Sequence, residues 1–331
     1  MLTDRVLRGV KTLFSARRRM GLVVVLGLVA LALTPSSGRA DEDLKIPHLS
    51  GHQFTTNTLT GDPFINTYIR NTLGMGKSLD LFVPLIEIGD PPQVLGLKGD
   101  LLKAILEFEY QQAVKDWVAF RVQVRVTGRL GTGAQSLLAS GVTANTGFEF
   151  GWLFKLAQGE KTALTGTLNL WNNSVTLVDF LGFVDGIIDG ENNSLVKTVP
   201  STRGGGGLRY AWAASDLVGF LFNGETGMGE SVDRSNDSDE WFFNFATAVD
   251  FDLQTKTAVP LGLALGYKFD TFPEAGEDLV NAKHDLVFRI SYTGTTDFLL
   301  SLDFSYGWFN LNNEVEASKF TSTLINLRYY F

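Results

Sequence analysis

Lys319-Phe320-Thr321-Ser322-Thr323-Leu324-Ile325-Asn326-Leu327-Arg328-Tyr329-Tyr330-Phe331 is the stretch on which the fold turns. Thr323, Ile325, Leu327, Tyr329 and Phe331 share one face of an extended strand. Ser322, Asn326, Arg328 and Tyr330 share the other, with Leu324 as the apolar exception. A period of two with one apolar face predicts a strand half in apolar surroundings.

Working upstream, the same alternation recurs. Val118, Phe120, Val122, Val124 and Val126 face one way, and Arg121, Gln123, Arg125, Thr127 and Arg129 face the other. A helix through 117–130 would scatter these arginines around its axis, whereas a strand lines them up. Comparable segments begin near Leu102, Phe148, Leu164, Leu208, Val218, Trp241, Leu261, Leu286 and Phe298. With the terminal stretch they make eleven strands. Short connections (111–116, 157–161, 213–216, 254–257, 293–296) alternate with longer ones (130–145, 173–204, 230–238, 271–280, 311–318). Bacterial membrane barrels segregate loop length in this way and have an even strand number. A twelfth strand is therefore expected over Ser78–Ile88, despite Pro84, with 89–100 as the first outer loop.

The chain totals restrict the class. There are 28 Lys and Arg against 36 Asp and Glu, a net charge of −8, and no Cys. An acidic chain is a poor match for nucleic acid, whose phosphates select basic surfaces. Arg5, Arg8, Lys11 and Arg17 to Arg19 precede an apolar run from Gly21 to Leu33, then a small polar stretch ending at Ala40. This is the layout of a secretory signal over 1–40. No later apolar run is long enough for a membrane helix, so a spanning structure must be a closed barrel. Residues 41–77 lack a clear period and are expected to form a periplasmic lead-in or a small plug. The barrel is expected over 78–331.

A strand ending on Phe331 resembles the C-terminal signal of Gram-negative outer-membrane β-barrels, which in that family is read by the barrel-assembly machinery. The chain from about residue 78 onward is similar to Gram-negative channel-forming barrels, including the outer-membrane transporter family associated with phenol degradation. The resemblance implies an all-β, transmembrane, antiparallel up-and-down barrel of about twelve strands in the outer membrane, in contact with its lipids. It also implies passive passage of a small solute, with no cofactor and no enzyme activity. A plugged structural or adhesion barrel, or an enzyme built on the barrel rim, are the alternative readings.

In a membrane barrel the apolar faces meet lipid and the charged faces line water. Tyr110, Trp212, Tyr292, Phe298 and Phe331 near one end, and Trp241, Phe269 and Trp308 near the other, suit two interfacial girdles. The expected pore-lining residues are Glu107, Glu109, Arg121, Arg125, Arg129, Arg209, Lys268, Arg289 and Asp303, with Glu149, Lys155, Asp250, Asp252, Asp285 and Arg328 on the same faces. Arg121, Arg125 and Arg129 form either a cationic wall that orients an anion, or half of a brace with Glu107 and Glu109 on the adjacent strand. The greasy outer loop after Asn173 is a candidate constriction, carrying Asp179, Asp185 and Asp189. Its acidic residues, with Glu191, do not have the spacing of a Ca²⁺ loop.

Chemistry finds little support. Gly74-Met75-Gly76-Lys77-Ser78 ends like a phosphate loop, but Asn71 stands where its first glycine belongs. His48, His52 and His284 are the three histidines. His284 lies beside Asp285, with no serine placed to complete a triad, and no metal-ligand spacing is present.

Overall fold

β-Branched and aromatic residues at every second position pack well on a pleated surface lined on one side by lipid. In the computed structural model they build fourteen strands. The structure describes residues 45–56, 58–88, 93–131, 142–178, 196–230, 239–257, 259–272, 281–309 and 318–331. The expected signal segment, 1–40, and Asp179, Asp185 and Asp189 lie outside the described residues.

Two short strands, β1 (His48–Leu49) and β2 (His52–Gln53), form a small hairpin. Its two-residue turn puts Ser50 and Gly51 at φ 49° and 84°, the left-handed geometry of a tight hairpin turn. The barrel follows: β3 (Tyr68–Ile88), β4 (Gln93–Lys115), β5 (Val118–Gly131), β6 (Val142–Gln158), β7 (Thr162–Val178) and β8 (Val196–Ala213). β9 (Val218–Glu230), β10 (Asp239–Asp252), β11 (Leu261–Phe272), β12 (Asn281–Tyr292), β13 (Phe298–Phe309) and β14 (Ser318–Tyr330) complete it. A single helical turn, Gln254–Thr257, lies between β10 and β11.

Each barrel strand pairs antiparallel with its sequence neighbours, and β14 closes on β3 with Tyr330 opposite Tyr68 and Lys319 opposite Leu79. Closure leaves no sheet edge exposed to lipid. The expected twelve-stranded, up-and-down topology is the one observed.

Sidedness is resolved by exposure. Met75 is 67% exposed, Leu168 58% and Leu265 52%, whereas Glu109 is 2% and Arg328 2% exposed. Charged side chains are inside and aliphatic ones outside, the inverse of a water-soluble barrel. Trp212, Tyr292, Tyr329 and Phe331 are exposed at the short-turn end, and Trp241 and Tyr306 toward the long-loop end.

Three expectations about length need correction. β3 begins at Tyr68 rather than Ser78; its inner face reads Arg70, Thr72, Gly74 and Gly76, which conceals the apolar period of Ile69, Leu73 and Met75. β4 begins at Gln93, so 93–100 is strand and not loop. β7 runs to Val178 and β8 starts at Val196, so much of 173–204 is strand, and Gly204–Gly207 lie inside β8. A tilted strand crosses the hydrocarbon in about 9–11 residues. β3 and β4, with 21 and 23 residues, project well beyond it on the long-loop side, where a strand no longer needs an apolar outer face.

Candidate functional site: the lumen and the segment inside it

Residues 45–56 and 58–67 enter the barrel at its short-turn end and are bonded to the inner wall at many points along their length. The Lys45 and Ile46 amides donate to the Thr296 carbonyl, both at 3.1 Å. The Thr55 amide and hydroxyl donate to one Asp250 oxygen at 2.8 and 2.7 Å. Arg289 Nη1 donates to the Thr56 carbonyl. Arg328 Nη1 donates to Thr56 Oγ1 at 2.6 Å and to Asp62 Oδ2 at 2.8 Å, and Arg209 Nη1 to the Asp62 carbonyl at 3.1 Å. Gln111 Nε2 reaches the Phe64 and Asn66 carbonyls at 2.9 and 3.0 Å.

An apolar underside accompanies this polar strapping. Leu49, Phe54 and Phe64 pack on Ala163, Ala211, Ala213, Leu221 and Ala248, and Ile46 packs with Tyr68, Leu299 and Tyr330. Alanines at lumen-facing positions are what make room. The barrel wall turns from polar to small and apolar where the segment lies, because a charge buried there without a partner would be costly. His52 is fully buried, donates through Nδ1 to the Asp216 carbonyl at 3.2 Å and stacks edge-on against Phe54. Burial holds its imidazole down at about 4, so it is neutral at pH 7,.

Above and below the segment the lumen widens. On the long-loop side is a cavity of about 350 Å³, floored by Thr58, Leu59 and Gly61 and walled by Arg70, Glu109, Arg121, Arg125, Glu149, Arg209, Glu225 and Lys268. On the short-turn side a cavity of about 400 Å³ is bounded by Lys45, His48, Pro63, Asn66, Lys155 and Gln158. The segment stands between the two.

The walls are a network of ion pairs. Glu107 takes Arg70 at 2.5 Å and Arg125 at 2.5 Å. Glu109 accepts from Arg70 and from the Tyr68 hydroxyl. Arg121 reaches across to Glu149, Arg209 meets Glu225 at 3.5 Å, and Arg289 grips Asp303 through two bonds of 2.5 and 2.7 Å. Lys268 pairs with Asp270 at 2.9 Å. Of the two sequence readings of the arginine row, the brace describes Arg125 with Glu107. Arg121 turns to the opposite neighbour, and Glu109 is taken by Arg70, a residue outside the expected barrel. Cross-strand registers explain both: Glu109 lies opposite Arg70, and Gly151, opposite Arg121, leaves space beside Glu149.

Several aromatic side chains point inward. Trp171 and Phe242 form a T-shaped pair with centroids 5.3 Å apart. Phe242 lies over Gly205 and Gly227, where an added Cβ would stand 2.9 and 2.8 Å from its ring. Phe320 is covered by Lys103 and Lys283, at 4.5 and 4.8 Å from its centroid. Sequence periodicity could have revealed Trp171 and Phe242, since each shares a strand face with an asparagine, Asn169 or Asn244. Their neighbours Leu170 and Phe243 masked them. Among the described residues no group of three or more His, Asp or Glu could hold a metal. His284 lies on the outer surface, bonded to Tyr267 at 2.8 Å and stacked on Trp308 at 4.9 Å.

No protein-family model matches the chain, and no curated protein matches it. Among solved structures, a Pseudomonas aeruginosa FadL homologue aligns over 87% of this chain and 100% of its own at 10% identity, with a TM-score of 0.47. The Pseudomonas putida toluene transporter TodX aligns over 87% and 99% at 9% identity, TM-score 0.41. The translocator domain of autotransporter NalP from Neisseria meningitidis aligns over 81% and 89% at 8% identity, TM-score 0.44. Values this low assign neither a family nor a solute. What the chain's own geometry establishes is a closed twelve-stranded barrel of the outer-membrane type, with lipid outside and paired charges within,.

Proposed function

We propose that the protein is a channel for a small solute across the outer membrane, with residues 45–67 acting as its internal restriction. The observation that carries this reading is the pair of cavities, about 350 and 400 Å³, on either side of a segment held mainly by hydrogen bonds. A barrel selected only for rigidity gains more from a filled apolar core than from buried ion pairs. Hydrated space lined by charge is what a permeating solute needs. Arg289 and Arg328, whose buried guanidiniums hold the segment, favour a second reading, a permanently closed structural barrel.

Single-channel recording in planar bilayers separates the two. The channel reading expects discrete current steps from the full chain, and larger ones when residues 46–64 are deleted. Silence from both proteins, with the barrel folded, would overturn it and leave the structural reading.

A further inference from the structure

We infer that the lumen passes anions in preference to cations, which names the solute class of the proposed channel and rests on that reading. The chain as a whole is acidic, with a net charge of −8, so the lumen runs against the charge of the molecule. The reason is the depth at which the two partners of each ion pair sit. Arg125 is 51% exposed to the lumen while its partner Glu107 is 3% exposed. Lys283 is 28% and Asp285 7% exposed. Lys268 is 26% and Asp270 18% exposed. In the first two pairs the guanidinium or ammonium faces water and the carboxylate is sunk behind it, and in the third the ammonium is the more exposed partner. Where the order is reversed, as in Arg121 with Glu149 and Arg209 with Glu225, both partners are largely buried, at 7% and 15% and at 3% and 7%, and neither presents much charge to a passing ion.

The short-turn cavity repeats the sign. Lys45 and Lys155 border it, and its described lining residues include no carboxylate. An ion crossing the barrel therefore meets cationic surface before and after the segment. In a narrow space between low-dielectric walls, fixed charge of one sign concentrates the opposite ion.

The test is the reversal potential of the full chain in a bilayer between 1 M and 0.1 M KCl. At 1 M the Debye length is about 3 Å, so only groups that ions touch contribute. A chloride-to-potassium permeability ratio of about 3 or more is expected, falling to or below unity in Arg125→Glu/Lys283→Glu. A ratio below unity in the wild type overturns the inference while leaving the channel. If neither the full chain nor the 46–64 deletion passes current, the channel reading fails and charge is still measured by quenching of Trp171, which lines the upper cavity. With each quencher referred to its effect on free N-acetyltryptophanamide, the fluorescence lost in Trp171→Phe is expected to be quenched more steeply by iodide than by caesium. Equal or reversed quenching would overturn the inference.

Discussion

Replacing Arg328 by leucine is the perturbation that most directly tests the role of the inner segment. Arg328 is 2% exposed. It donates to Asp62 and Thr56 and lies 4.5 Å over the Tyr68 ring. Leucine keeps much of the bulk but removes the guanidinium from the buried Asp62 carboxylate, leaving the Phe64 amide at 2.9 Å as its donor among the described residues. Breaking a buried pair by removing one partner costs about 3–5 kcal/mol. The β14 backbone keeps its ladders to β13 and β3, so the loss falls on residues 45–67 and not on the barrel. At about 1.4 kcal/mol per factor of ten, the equilibrium between seated and displaced segment shifts by roughly two to three and a half powers of ten. Proteinase K digestion of detergent-solubilised protein, read by mass, should show cleavage within 45–67 in the variant under conditions that spare the wild type. Heat-modifiable migration of the barrel on gels should be unchanged. Asp62→Asn on top of Arg328→Leu should recover part of the protection, because a neutral amide is cheaper to bury than an unpaired carboxylate. If the single variant is as protected as the wild type, the strap has been assigned energy it does not hold.

Two further outcomes follow from the same geometry. Leu265, 52% exposed in the middle of β11, should tolerate alanine, but Leu265→Arg should cost about 2–4 kcal/mol in urea unfolding from vesicles; an unaffected midpoint would contradict lipid contact at that face. His52 titrates near 4 in the folded protein against 6.5 when exposed, so the displaced segment binds the proton first. The contribution of His52 to the seated segment is then complete above about pH 6.5 and falls by up to roughly 3 kcal/mol as pH drops to 4. Protease sensitivity of 45–67 should be higher in the wild type, relative to His52→Gln, at pH 4 than at pH 7, the variant keeping whatever the segment's buried carboxylate partners contribute.

Alternation in the sequence was sufficient to identify the strands, their number and which side chains meet lipid, because a strand's period of two is local and the membrane imposes it on every crossing. The terminal stretch is typical: Ile325, Leu327 and Tyr329 face out, Asn326 and Arg328 in. Where strands leave the hydrocarbon on the long-loop side the rule lapses, and the start of β4 was misplaced for that reason; the start of β3 was missed because Gly74 and Gly76 on its inner face blur the period. The contents of the lumen were beyond the sequence. Whether Glu107 braces Arg125, and whether Arg121 turns to Glu149, depends on registers between strands. That residues 45–67 fill the short-turn end depends on contacts separated by up to 272 residues, such as Thr56 with Arg328. Local periodicity shows which side of the wall a residue faces. Only closure of the barrel, which brings twelve inner faces onto one axis, decides what each inward charge will find there.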